Sequence, residues 1–303
     1  MNSRTTGYLF CGLAMVGVGS TVVVSKMIAA GLAPFTATAL RFAIAFPVFV
    51  AVMRLRRARW PKLDARDRWL VIAQAGAGSV GYTVLLISGM RLASAADAGV
   101  ITGTLPAVSA LVAMIALGER PGPALLGAIA LATTGVLVCT VRLEDVSGSR
   151  PASAWVGGAL VFAAVFCEAL FILLNRKLRQ PVPALQLSAL MTGIGFIVAI
   201  GPALCFEKPW TGHVNAGAVA GVVYYALVPT VGGFVLWYAG AARVSGAEAG
   251  LMTALVPVSA VALAAGVLRE SISAAQLAGM ACVLGAVLLA SLEGVVRARR
   301  ANA

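Results

Sequence analysis

Residues 94–119, SAADAGVITGTLPAVSALVAMIALGE, return as residues 245–270, SGAEAGLMTALVPVSAVALAAGVLRE. Ser94, Asp97, Gly99, Thr102, Pro106 and Glu119 are matched by Ser245, Glu248, Gly250, Thr253, Pro257 and Glu270, each pair 151 residues apart and without a gap. Both copies are apolar stretches bounded by carboxylates, so what repeats is a membrane helix, and a repeat at fixed spacing speaks first about the fold. Repeated membrane halves are a usual construction of transporters.

Working outward, the whole chain has the composition of a membrane protein. Of its 303 residues 60% are hydrophobic and only 11% charged, and the mean hydropathy is +0.96, which cannot supply a water-facing surface of ordinary charge density. The net charge of +12 does not point to nucleic acid, because the basic residues sit in short segments between apolar runs and form no stripe with interleaved aromatics. The five cysteines are widely spaced with no C-x-x-C and read as small hydrophobes. The apolar run from Gly7 continues to about residue 29 without a cleavage site, which favours a span over a signal peptide.

A helix crossing the hydrocarbon core needs about 20 mostly apolar residues. Ten such runs occur, at about 7–28, 34–53, 69–90, 97–117, 123–141, 155–175, 184–205, 216–239, 248–268 and 274–295. The expected fold is therefore an all-α integral membrane protein of ten transmembrane helices, in two five-helix repeats over residues 1–146 and 147–303. With both termini in the cytoplasm, 16 of the 23 lysines and arginines fall inside, chiefly the run from Arg54 to Arg68 and the group at Arg176, Lys177 and Arg179. The positive-inside rule thus predicts both ends cytoplasmic. The 151-residue shift carries span 4 onto span 9 and passes five crossings, and an odd number inverts the second copy. The 22 residues from Asp97 to Glu119 make about 33 Å of helix, enough to cross.

With these features in place, the chain resembles the drug/metabolite transporter superfamily and, within it, the ten-helix EamA type. The resemblance lies in Gly118, Glu119 and Arg120 closing span 4, Arg269 and Glu270 in the matching place, the mid-span prolines, and an opening segment with Gly19, Ser20, Lys26, Pro34 and Arg41. The second copy departs from it with Arg269 where the family often has glycine, and Leu190 near where Arg41 would fall. The resemblance implies a multi-pass carrier of the inner (plasma) membrane that exports or exchanges small metabolites such as amino acids, sugars or nucleotide-sugars. It further implies a central cavity lined by spans 1, 3, 4, 6, 8 and 9.

The residues themselves suggest who faces that cavity. Pro106 and Pro257 fall near mid-span, where proline removes a backbone hydrogen bond and kinks the helix; a structural kink alone is the other reading. Thr102 and Thr253, one turn earlier, either line the path or satisfy their own helices. Glu168 is the single carboxylate deep within a span, a candidate for proton coupling or for holding an amine, unless span 6 is shifted and it pairs with Arg176 or Lys177. Lys26 and Arg41 are both long enough to snorkel. Of the two, Lys26 is preferred as a partner for a substrate carboxylate. Span 3 offers Gln74, Ser79, Tyr82 and Thr83, and span 8 offers Tyr224, Tyr225, Trp237 and Tyr238, a set suited to a modest amphiphilic solute.

Other motifs lead nowhere catalytic. Gly76, Gly78 and Gly81 spell G-x-G-x-x-G inside a span with no preceding strand, so helix packing is expected. His213 is the only histidine, and there is neither H-E-x-x-H nor G-x-S-x-G, so no metal, cofactor or hydrolytic site is expected. The expected function is a secondary transporter or facilitator of small organic metabolites, preferably amino acids, working by alternating access and open to proton coupling. A sugar, nucleotide-sugar or drug carrier of the same fold is the alternative, and an intramembrane transferase the alternative of another class.

Overall fold

The structure is a computed structural model, and it describes residues 3–118, 123–140, 152–209, 214–244, 249 and 252–301. Glu119, Arg120, Ser245, Glu248, Gly250 and His213 lie outside these, as does the expected junction near residue 146. All regular structure among the described residues is helical. Six helical segments are long and apolar enough to cross a membrane: Ser3–Ala29, Pro34–Leu55, Ala65–Met90, Ala152–Arg176, Ala184–Glu207 and Ala216–Ala241. The pair Ala95–Thr102 and Leu105–Ala116, bent by 44°, makes a seventh if taken as one span, and Leu126–Val138, Leu255–Leu268 and Ala274–Leu289 are shorter apolar helices. The chain is an all-α membrane protein.

In chain order the helices are α1 (Ser3–Ala29), α2 (Pro34–Leu55), α3 (Ala65–Gln74), α4 (Tyr82–Met90), α5 (Ala95–Thr102), α6 (Leu105–Leu117), α7 (Pro123–Thr140), α8 (Ala152–Arg176), α9 (Ala184–Pro202), α10 (Ala216–Tyr225), α11 (Gly233–Ala241), α12 (Leu255–Leu268) and α13 (Ala274–Ala301). Local chemistry sets several starts. The Asp64 carboxylate accepts from the Asp67 amide at 2.7 Å, Ser94 Oγ from the Asp97 amide at 3.0 Å, and Asn215 Oδ1 from the Gly217 amide at 2.8 Å. Pro34 opens α2, where its missing N–H costs nothing.

The 151-residue offset of the sequence recurs in the backbone. A π-helical segment joins α3 to α4 at Ala75–Gly81, and another joins α10 to α11 at Ala226–Gly232, both bounds displaced by 151. Helix α6 ends on left-handed Gly118 (φ 67°) and α12 on left-handed Arg269 (φ 56°), again 151 apart. Glycine takes this conformation freely, whereas arginine does so against its Cβ. Packing obeys the same exchange. Helix α1 packs on α11 and α12, α8 packs on α4 and α6, and α2 pairs with α9 as α7 does with α13. Gly89 and Gly240 sit at two of these crossings, where an added Cβ would fall 2.9 Å from the Gly157 carbonyl and 2.9 Å from the Gly7 carbonyl, so only glycine lets the backbones meet.

The two faces of the bundle are stitched differently. On the basic face, Arg179 reaches from the loop after α8 to Asp64 at 2.7 Å, and Gln186 donates to the Arg59 carbonyl at 2.7 Å. The neighbouring Asp67 amide and Arg179 hold the Asp64 carboxyl below the usual carboxylate range. On the opposite face, carboxylates grip helix starts. Glu207 accepts from the Phe35 and Thr36 amides at 2.9 and 2.7 Å, and Glu270 from the Ala95 and Ala96 amides at 3.1 and 3.0 Å. These are helix N-terminal donors without intrahelical partners, and a negative charge there is favoured by the dipole. Arg91 donates to the Leu32 carbonyl at 3.0 Å, and Gln276 to Asp97 at 2.7 Å, on the same face.

Candidate functional site

Mid-span, the bundle encloses a cavity of about 550 Å³. Among the candidates named from the sequence, Ser79, Tyr82, Thr83, Thr102, Pro106, Glu168, Tyr225, Thr253 and Pro257 line it. Lys26, Tyr224, Trp237 and Tyr238 do not. The lining also carries the 151-residue register. Thr21 and Ile172, Gly78 and Pro229, Ser79 and Thr230, Thr102 and Thr253, Leu105 and Val256, and Pro106 and Pro257 all face the one space.

Backbone irregularity places these side chains. The two π-helical segments bring Gly78, Ser79, Pro229 and Thr230 to the wall, consistent with the habit of such bulges at functional sites. Thr230 Oγ1 donates to the Tyr225 carbonyl, five residues back, at 2.8 Å, and Thr83 Oγ1 to the Ser79 carbonyl at 2.8 Å. The break between α5 and α6 at Gly103 and Thr104 produces the 44° bend. Pro106 follows as the second residue of α6 and lacks the N–H that would meet the Thr102 carbonyl. The Thr102 hydroxyl donates to the Gly99 carbonyl at 3.0 Å, so it serves its own helix while its residue faces the cavity. The glycine motif does split as packing: a Cβ on Gly78 would strike Phe171 and one on Gly81 would approach Cys167, whereas Gly76 has open space.

Arg41, and not Lys26, lines the cavity. The Lys26 ammonium donates to the Ala93 carbonyl, at the end of the bundle away from the basic face. Its position in the last turn of α1 puts it there, beyond reach of the midplane. Arg41 lines the cavity instead, with Nε donating to Thr230 Oγ1 at 3.1 Å and Nη1 to Thr83 Oγ1 at 2.6 Å. Its guanidinium carbon lies 4.2 Å from the Tyr225 ring centroid and 4.9 Å from that of Phe42. Trp237, on α11 one helix turn beyond the π-helical segment, falls past the cavity wall. Gln74 is likewise off the wall: it is fully buried and donates to the Phe171 carbonyl at 3.3 Å.

Glu168 lines the cavity on α8, and among the described residues it forms no ion pair with Arg176, Lys177 or Arg41. The shifted-span reading, with Glu168 at the interface, therefore does not describe this structure. Sequence reasoning missed Ser109 and Thr230. Ser109 lies one turn after Pro106, and its buried hydroxyl has no hydrogen-bond partner among the described residues. Thr230 could have been found from Ser79, its counterpart at the fixed offset.

Comparison with known proteins agrees with this architecture. A model described as the EamA-like transporter family matches residues 5–141 and 155–292. The chain is 30% identical over 288 residues to a Bacillus subtilis (strain 168) protein named "Uncharacterized transporter YetK", covering 94% of this chain and 87% of that one. It is 28% identical over 263 residues to the "Probable terminal-alkyne amino-acid exporter" of Streptantibioticus cattleyicolor, covering 86% and 83%. A solved crystal structure superposes with a TM-score of 0.64 over 95% of this chain and 99% of its own length; at 22% identity it speaks for the fold alone.

Proposed function

Because the chain belongs to the EamA-like transporter family, we propose that it is a secondary transporter or facilitator of the plasma membrane that exports or exchanges a small organic metabolite, an amino acid, by alternating access. In this reading the chain crosses the membrane ten times, residues 1–146 and 147–303 are inverted halves, and the basic face is cytoplasmic. The observation that carries it is the mid-span cavity lined from both halves by residues 151 apart, since a site shared by two inverted halves can be exposed to either side in turn. The amino-acid class is supported by the printed name of the Streptantibioticus cattleyicolor relative and by the Glu168 carboxylate, which suits an amine. Ser79, Tyr82, Thr102, Tyr225 and Thr253 supply the wall for the rest of the solute, and Pro106 and Pro257 the bends that open it.

The test is counterflow in proteoliposomes loaded with unlabelled amino acids, sugars or nucleosides, following entry of the matching labelled solute. Amino-acid counterflow with the solute recovered unchanged supports the reading. Counterflow only of sugars or nucleosides removes the amino-acid class, and chemical conversion of a solute would favour the transferase. Glu168→Gln addresses coupling: exchange retained with loss of pH-driven accumulation makes Glu168 the proton carrier, and unchanged pH dependence removes it from that role.

A further inference from the structure

We propose that the cavity reads its substrate by a two-charge code, with Arg41 receiving a carboxylate and Glu168 an ammonium, so that only a zwitterion is fully matched. This rests on the transport reading above and assigns a role to Arg41, the cation that the sequence placed second to Lys26. Arg41 lies seven residues into α2 from one face, about 10 Å along the helix, and Glu168 eight residues before the basic end of α8, about 12 Å. Opposite charges thus approach the same mid-span space from opposite sides of the bundle.

Arg41 is held ready for a ligand. A guanidinium carries five N–H donors, and the protein takes two of Arg41's, through Thr83 and Thr230, while the Tyr225 ring supports its face. Three donors remain, in a planar fork that matches a carboxylate. Arg41 and Glu168 line the cavity without forming an ion pair with each other. Charges at this depth face a cavity or a partner because lipid tolerates neither sign, and one ligand carrying both opposite charges satisfies the two together. Ser109 offers an unengaged hydroxyl on the same wall. At the fixed offset Arg41 corresponds to Thr192 and Glu168 to Gly17, so each half provides one charge and neither provides both.

The test uses purified full-length protein in detergent and three matched compounds, L-leucine, L-leucinamide and N-acetyl-L-leucine, with the phenylalanine set as a second series. Binding is read by titration calorimetry and by ligand-induced shifts in Tm. Wild type is expected to bind the free amino acid about tenfold or more tighter than either analogue, because each analogue leaves one buried charge unmatched. Arg41→Gln should bring the amide level with the free acid, and Glu168→Gln should do the same for the N-acetyl compound. Arg41→Lys, which keeps the charge, should keep the preference for acid over amide even where affinity falls. Equal binding of the three compounds by folded wild type, or an Arg41→Gln loss that is the same for acid and amide, would overturn the code and leave Arg41 a tie between helices. Binding of none of them, with counterflow of a sugar or nucleoside, would overturn it while transport stands; silence in every counterflow assay would strike the transport reading itself.

Discussion

The two π-helical segments, Ala75–Gly81 and Ala226–Gly232, occupy equivalent places and reach one geometry by different means. The first, AGAGSVG, is pliant: Gly78 gives way to Phe171 and Gly81 to Cys167. The second, ALVPTVG, is imposed by Pro229, which withdraws a donor, and by Thr230, which returns one to the Tyr225 carbonyl. The frame is duplicated and the chemistry on it is not. Arg41 stands in the first half opposite Thr192, whose hydroxyl serves its own helix through the Ser188 and Ala189 carbonyls at 2.8 and 3.1 Å, and Glu168 stands in the second opposite Gly17.

The sharpest way to break this contrast is to erase it. Arg41→Thr gives the first half what the second has at that place, and amino-acid counterflow is expected to fall at least about tenfold in folded protein. Retained counterflow would mean that the halves are interchangeable. The frame should behave in the contrary way, with equal losses on both sides. Gly89→Ala and Gly240→Ala each drive a methyl to within 3 Å of opposing backbone, and both should lower stability by about 1–3 kcal/mol, read as matching drops in Tm. A large difference between the two would show that the crossings α4 on α8 and α11 on α1 are not equivalent.

A smaller and oppositely signed pair lies at the ends of α6 and α12. Gly118→Ala should destabilise by about 1 kcal/mol, because φ is 67° there, and Arg269→Gly should stabilise by a similar amount by relieving the same strain. The smallest effect belongs to the basic face. Since the Asp64 carboxyl is held below its ordinary value, its contact to Arg179 is fully present above the ordinary range near pH 4 and is lost as pH falls through the lowered one. Hydrogen exchange at residues 64–68 should therefore rise only in acid, and Asp64→Asn should remove that step.

The repeat made the frame legible because it is written in side chains whose place is fixed by backbone need: an N-cap serine and a bend-forming proline. Of the residues on the cavity wall, Thr102, Pro106, Thr253 and Pro257 belong to the repeat and sit at or beside its breaks, whereas Glu168 was picked out only as a carboxylate inside a span. The placement of Lys26 and Arg41 was not legible, because hydropathy does not report which partner a long side chain finds: Lys26 turns to the Ala93 carbonyl, and Arg41 to Thr83 and Thr230. Trp237 lies one turn beyond the second π-helical segment, past the cavity wall, and neither segment announces itself in the hydropathy pattern. Glu270 could be read as half of a repeated motif, but its grip on α5 joins residues 175 apart and is visible only in three dimensions.

That grip has a consequence for how the chain is made. The amides of Ala95 and Ala96 are completed by a carboxylate at residue 270, and those of Phe35 and Thr36 by one at residue 207, so two early helices leave the synthesis machinery with their first donors still open. Inside a bilayer such donors are costly, which keeps these ends near water until the later segments arrive. The first half is thus left unfinished as it is made, and the last third of the polypeptide completes it.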